Sequence, residues 1–273
     1  MKDVQTNRPG MEDESERGSF AVTFPELQED SLPQDAEYCL VEHRGVTRRI
    51  RFHDYHEIYT IPGLYEHIFY DRLNCRSPSL LGLLLEHEVT RADMDMEALR
   101  VLDVGAGNGI MGEVLADAGV QRLVGIDILE EAARAAERDR PGLYDAYHAV
   151  DLLELPRPLR QALEANRFNA LTLIAALGFG DIPPEAFTVA FNFVEDGGFV
   201  AFNLRDLFLD RADCSGFERL VHFALAEGSL QELVRARYVH RLSITGEPLY
   251  YTGLIGRKLG DLPTGQPARR KDN

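Results

Sequence analysis

The segment Asp103-Val-Gly105-Ala-Gly107-Asn-Gly109 starts at the end of a short strand, Arg100–Val104, and opens a helical repeat carried by Ile110, Val114, Leu115 and Ala118. Three alternating glycines between a buried strand and a helix let the backbone come close to a ligand, at a helix start where N–H groups can face a carboxylate or phosphate. The chain beyond Glu97 keeps this strand-then-helix rhythm. Strands are predicted over 100–104, 123–127, 144–150, 170–176 and 199–203, and helices over 109–118, 130–139, 158–165, from Pro183-Pro184 to Gly197, and over 215–226. An antiparallel hairpin is predicted over 234–243 and 249–259, turning at Gly246-Glu247-Pro248. Alternation of this kind predicts an α/β fold with a parallel sheet covered on both faces.

Before Glu97 the pattern differs. Residues 1–37 carry 10 acidic and 3 basic side chains, with Pro9, Gly10, Pro25 and Pro33 interrupting any periodicity, which predicts a flexible acidic leader. Residues 38–96 are expected to form a cap or lid. Within it, a hairpin spans 38–43 and 46–52 about Arg44-Gly45, one helix opens at Pro62-Gly63, and a second opens at Ser77-Pro78 with Ser77 as N-cap. Residues 97–260 form the main domain, and 261–273 a polar, frayed tail.

Composition excludes several functions. A net charge of −16 repels phosphate backbones and anionic lipid, so neither a nucleic acid nor a membrane is expected as partner. The longest apolar runs, 80–85 and 171–179, are too short to span a bilayer, and the acidic N-terminus does not read as a signal peptide. Three well-separated cysteines, Cys39, Cys75 and Cys214, form no disulfide framework or zinc site and fit a cytoplasmic protein.

Two further acids join the glycine loop. Asp127 ends the second strand 18 residues past Gly109, and Asp151 ends the third. Single aspartates at strand ends are commonly turn formers or caps. Three on one carboxyl edge beside a glycine loop point instead to a ligand there. A dinucleotide would want a glycine at Ile110, and Asp103 would oppose its pyrophosphate; no Tyr-x-x-x-Lys pair is present either. An acid directly before Gly-x-Gly-x-Gly suits a ligand with a positive amino group and a sulfonium.

On these residues the chain resembles the class I S-adenosylmethionine-dependent methyltransferases. Val101-Leu-Asp-Val-Gly-Ala-Gly-Asn-Gly109 is similar to their first motif, Val124-Gly-Ile-Asp127 to the acid of their second strand, Ala149-Val-Asp-Leu152 to their adenine contact, and Asp196-Gly-Gly-Phe-Val-Ala-Phe202 to their fifth strand. The resemblance, over about 97–259, implies a Rossmann-like, doubly wound, mostly parallel seven-stranded sheet with an antiparallel last hairpin. It further implies that Asp103 and the backbone of Gly105, Ala106 and Gly107 hold the methionine portion, that Asp127 beside Ile128 holds the ribose, and that Asp151 with the Leu152 N–H holds the adenine. Ala175 and Tyr65 complete the expected cofactor contacts. Phe168-Asn169 departs from the family's frequent Phe-Asp, at a position that packs and turns.

The acceptor is less marked. The Asn/Asp-Pro-Pro-aromatic motif is missing after strand 4, Asp181-Ile-Pro-Pro184 is only superficially like it, and no Pro-Cys nucleophile exists. A small molecule is the expected acceptor; a protein side chain, or a non-catalytic S-adenosylmethionine-binding scaffold, is the alternative. Residues 38–70 hold Tyr38, Tyr55, Tyr59, Tyr65 and Tyr70, and His43, His53, His56 and His67, half of each type in the chain. These residues either wall an acceptor pocket or pack the lid. His56 is the preferred general base, with His53 and Tyr59 as further catalytic candidates. His53 and His56 lack a third convergent ligand, so no metal is expected. His222 and His240 read as structural.

Overall fold

A computed structural model describes residues 19–26, 32–177, 181–206 and 216–264. Cys214, most of the expected leader and most of the expected tail lie outside these residues.

The first described element is a strand. β1 (Phe20–Thr23) pairs antiparallel with β2 (Tyr38–His43), which pairs with β3 (Val46–Arg51). This corrects the expectation of an unstructured leader through residue 37. Averaging charge over the whole segment hides the alternation Phe20-Ala-Val-Thr, in which Phe20 and Val22 pack against the lid core. Arg72 donates to the Val22 carbonyl at 3.1 Å and lies 4.7 Å above the Phe24 ring. Further on, Gln34 and Glu37 are both buried.

The lid continues through α1 (Tyr55–Ile58), α2 (Leu64–Glu66), a π-helical turn over His67–Arg72, and α3 (Ser77–Arg91). Gly63 enters α2 at φ +76°, a conformation open to glycine at little cost. Phe52, Ile58, Leu64, Ile68 and Leu73 bury themselves as a small core beneath the hairpin. Ser77 does not cap α3 as expected: Arg76 holds the cap position, and the Ser77 hydroxyl turns inward to His240 Nδ1 at 2.6 Å and Tyr238 at 2.7 Å. The proline at N1/N2 is enough to start the helix.

The main domain runs β4 (Arg100–Val104), α4 (Ile110–Asp117), β5 (Arg122–Asp127), α5 (Glu130–Asp139), β6 (Ala146–Ala149), α6 (Arg157–Ala165), β7 (Phe168–Leu173), α7 (Pro184–Asn192), β8 (Val194–Arg205), α8 (Phe217–Ala226), β9 (Leu230–Leu242) and β10 (Pro248–Lys258). Its seven strands stand in the order β6-β5-β4-β7-β8-β10-β9, and only β10 is antiparallel to its neighbours. Adjacent residues of β4 and β7 feed opposite faces of the sheet. Leu102 and Leu171 join Phe187, Phe191 and Phe202 in one core, while Val101 and Ala170 join Leu85, Leu115 and Ile255 in the other.

Among the boundaries that differ from expectation, two have a clear local cause. Helix α7 stops at Asn192, short of Gly197, because Val194 pairs with Phe168 and starts β8 early. The fourth parallel strand ends at Leu173, short of Ala176, because Ala175 is left-handed at φ +57°. The chain leaves β4 toward β5 and β6, then returns to β7 on the other side. The crevice at the carboxyl ends of β4 and β7 is therefore the topological switch point where open α/β sheets bind ligands.

Candidate active site

The glycine loop sits at that switch point with Gly105, Gly107 and Gly109 at φ +67°, +55° and +92°. Four of its N–H groups are spent within the protein. Those of Gly105 and Ala106 donate to the Ile126 carbonyl at 2.8 and 3.1 Å, that of Gly109 to the Ala106 carbonyl, and that of Gly107 to Asp127 Oδ2 at 3.0 Å. A pyrophosphate needs such donors unspent. The Ala106 and Gly107 carbonyls accept from the Gly109 N–H and the Tyr147 hydroxyl, and each keeps a second lone pair that suits an ammonium group.

Asp127 also accepts from the Leu129 N–H at 3.0 Å on Oδ1. Burial pushes its carboxyl up, and the backbone donors of Leu129 and Gly107 pull it back. Each oxygen keeps a lone pair for a further donor.

A cavity of about 460 Å³ opens over these groups. On the sheet side its wall includes Gly105, Ala106, Gly107, Asp127 and Ile128, then Asp151 and Leu152, and Ala175 at the end of β7. On the lid side it includes Tyr65 with all three catalytic candidates, His53, His56 and Tyr59. Asp103 is not on the wall. Its carboxylate lies beneath the loop, 1% exposed, accepting from Thr172 Oγ1 at 2.6 Å and from the Tyr144 hydroxyl at 2.8 Å. Asp103 thus supports the loop from beneath, and the cavity wall that carries Gly105 to Gly107 does not include it. Ile128 and Leu153 are 62% and 48% exposed yet both line the cavity. Two uncovered aliphatic side chains beside Asp151 fit the faces of a heteroaromatic ring.

Burial pushes Asp103 up to about 6 from 3.8, against the hydrogen bonds of Thr172 and Tyr144. A carboxyl raised in the folded state gives a stability contribution that is fully present below 3.8 and lost as pH rises through about 6. Asp103→Asn is expected to remove about 2–3 kcal/mol of this pH dependence. Thermal melting of both proteins from pH 4 to 7.5 checks it; parallel profiles would contradict it.

The lid is held over the loop by polar contacts. Arg138 Nη1 donates to the Tyr59 carbonyl at 2.9 Å, and Glu66 Oε1 accepts from Arg140 Nη1 at 2.8 Å and Asn108 Nδ2 at 3.0 Å. The Tyr59 hydroxyl sits so close to Gly107 that a Cβ there would collide with it. Tyr59 and Tyr65 rings lie 5.1 Å apart, with Tyr55 stacked 6.1 Å from Tyr59. Burial holds the Tyr55 and Tyr59 hydroxyls well above their ordinary range, so they stay protonated. This makes Tyr59 a wall and a hydrogen-bond donor, not a proton acceptor.

Of the two histidines, His53 is the more constrained: its Nδ1 lies 3.2 Å from Asp181 Oδ2, while His56 is exposed at the mouth. Asp181, 128 residues from His53, was singled out in the sequence only as part of a Pro-Pro segment; no local pattern announces the pairing. The strained Ala175 is held by its N–H to Asn203 Oδ1 at 2.6 Å, and Asn203 Nδ2 donates in turn to Tyr238 at 2.7 Å and Ser77 Oγ at 3.1 Å. Among the described residues no group of three His, Cys, Asp or Glu side chains is arranged to hold a metal, and no helix is long and apolar enough to cross a membrane.

Comparison with known proteins agrees with this geometry. A family described as a methyltransferase domain matches residues 71–239, more than half of the chain. The chain belongs to that family, and its class is the S-adenosylmethionine-dependent methyltransferases of class I fold, with S-adenosylmethionine as cofactor. Among curated relatives, a ubiquinone biosynthesis O-methyltransferase of Ralstonia nicotianae is 33% identical over 104 residues, covering 38% of this chain and 42% of that protein. One of Bordetella avium is 30% identical over 110 residues, covering 40% and 43%. The matches thus span less than half the length of these relatives. Among solved structures, magnesium protoporphyrin IX methyltransferase of Synechocystis PCC 6803 with bound S-adenosylmethionine aligns with TM-score 0.47 and 14% identity, over 66% of this chain and 79% of that one. The N-methyltransferase NodS of Bradyrhizobium japonicum aligns with TM-score 0.46 and 19% identity, over 66% and 86%.

Proposed function

We propose that this chain methylates an oxygen of a small, flat acceptor, with His53 as the proton acceptor. The observation that carries the reading is one cavity with two chemically distinct walls. Asp151 follows β6 and Ala175 follows β7, three strand spacings away, or roughly 14 Å along the edge. The Asp127 and Asp151 wall takes the cofactor: Asp127 accepts from the ribose hydroxyls, Asp151 and the Leu152 N–H read the adenine edge, and Ile128 and Leu153 cover its faces. The Gly105–Gly107 loop would hold the methionine portion. The tyrosine wall takes the acceptor. Its enclosure by a latched lid favours a small molecule over a polymer, and the O-methyltransferase name of the partial relatives supports oxygen as the acceptor atom.

When bound, the cofactor supplies a methyl group on positively charged sulfur, open to in-line displacement, so alignment alone can provide much of the rate. Asp181 accepts from His53 Nδ1, which orients the ring for proton transfer. His53 then takes the acceptor's hydroxyl proton as that oxygen gains the methyl. Tyr55, Tyr59 and Tyr65 keep water out and hold the acceptor flat.

The reading is tested by incubation with methyl-labelled S-adenosylmethionine and catechol, resorcinol or hydroquinone, with products identified by mass. An O-methyl ether is expected from at least one; none from any would contradict the proposed acceptor class. His53→Ala is expected to lower kcat about 10²- to 10⁴-fold with the KM for cofactor unchanged, and added imidazole to restore part of it. Undiminished turnover in His53→Ala would assign the rate to alignment alone.

A further inference from the structure

Behind the tyrosine wall lies a second cavity of about 30 Å³, sharing His53, Tyr55, Tyr65 and Asp181 with the main one. It is bounded on its far side by Gln34, from the segment before β2, and by Arg241 and Tyr251 of the terminal hairpin. The space holds one small polar group, since a single water takes up roughly 10–15 Å³ of such volume.

The chemistry of the bay is set by one atom. Gln34 is only 6% exposed, and its Nε2 donates to the Tyr251 hydroxyl at 2.8 Å. Its Oε1 is buried without a hydrogen-bond partner among the described residues. Other polar groups around the bay are engaged: Arg241 donates to Glu37 Oε2 at 2.6 Å and to the Leu242 carbonyl at 2.8 Å, and His240 Nδ1 meets Ser77 Oγ at 2.6 Å. Buried carbonyl oxygens are normally paired, so an unpaired one on a residue that lines a bay beside a binding cavity calls for a donor.

We propose that the bay receives a second hydroxyl of the acceptor, which donates to Gln34 Oε1, so that Gln34 selects acceptors carrying a donor group beyond the oxygen that is methylated. The inference rests on the reading that the acceptor lies against the tyrosine wall. It has a chemical consequence. A dihydroxybenzene can place one hydroxyl at His53 and the other at Gln34, whereas its monomethyl ether has a single hydroxyl and cannot serve both. Methylation therefore stops after one transfer.

The test uses the full chain with S-adenosylmethionine, the three dihydroxybenzenes and the monomethyl ether of each. In the wild type, kcat/KM for the best dihydroxybenzene is expected to exceed that for its monomethyl ether by about 10- to 100-fold. In Gln34→Met the ratio is expected to fall to within about threefold, the apolar side chain having nothing to offer the second hydroxyl. The wild-type comparison stands even if the variant fails to fold. Equal rates for dihydroxybenzene and ether in the wild type would show that the bay holds a structural water only, and would overturn the proposal. An unchanged ratio in a folded Gln34→Met would overturn it as well. Absence of methylation with every probe would instead remove the acceptor reading on which the proposal rests, and the proposal with it.

Discussion

Asp127→Ala is expected to weaken S-adenosylhomocysteine binding about 30- to 1000-fold, or about 2–4 kcal/mol. Two losses combine. The ribose hydroxyls lose a charged acceptor, and the Gly107 and Leu129 N–H groups, both 3.0 Å from the Asp127 oxygens, lose the partner that shapes the loop for the ligand. Asp127→Asn keeps an acceptor oxygen and is expected to fall between the two. Calorimetric titration of variants whose circular dichroism matches the wild type gives the comparison. An unchanged dissociation constant in folded Asp127→Ala would mean that the ribose is held elsewhere.

Glu37→Ala should produce the largest loss of stability, about 3–5 kcal/mol. Glu37 and Arg241 side chains are 1% and 3% exposed and meet at 2.6 Å, and the other Glu37 oxygen accepts from the Ile244 N–H at 2.8 Å. Removing the carboxylate leaves a guanidinium buried without its counter-charge, between the rings of Phe52 and Phe69. The pair joins the segment before β2 to the terminal hairpin, so its loss should loosen the lid as well as the fold. Replacing both partners, Glu37→Met with Arg241→Leu, is expected to recover most of the loss, because no charge is then stranded. Urea denaturation of the three variants measures this; a Glu37→Ala midpoint within error of the wild type would contradict it.

Local signals carried the parallel domain well. The spans 100–104 and 130–139 agree with β4 and α5 at both ends, because a strand closed by a glycine loop and an Ala-rich helix stopped by Pro141-Gly142 need no distant information. Positions at the carboxyl edge were legible for the same reason: Asp127 and Asp151 follow strands whose ends are set locally. What was not legible depends on tertiary partners. Ser77 has the composition of a cap but is drawn inward by His240, Tyr238 and Asn203. Asp103 stands in a motif position yet faces Tyr144 and Thr172, which no spacing rule links to it. The leader's strand is four residues within a charged stretch, too short to register in composition. The His53–Asp181 contact and the Gln34 bay arise where segments more than 100 residues apart converge, so only the folded chain reveals them.

The central claim is that the carboxyl-edge cavity binds S-adenosylmethionine through Asp127 and the glycine loop. Isothermal titration of the wild-type chain with S-adenosylmethionine, S-adenosylhomocysteine and NAD tests it most directly. Saturable one-to-one binding of the first two, lost or strongly weakened in Asp127→Ala, with no heat from NAD, is the predicted result. Binding of NAD with no response to either sulfur ligand would contradict it.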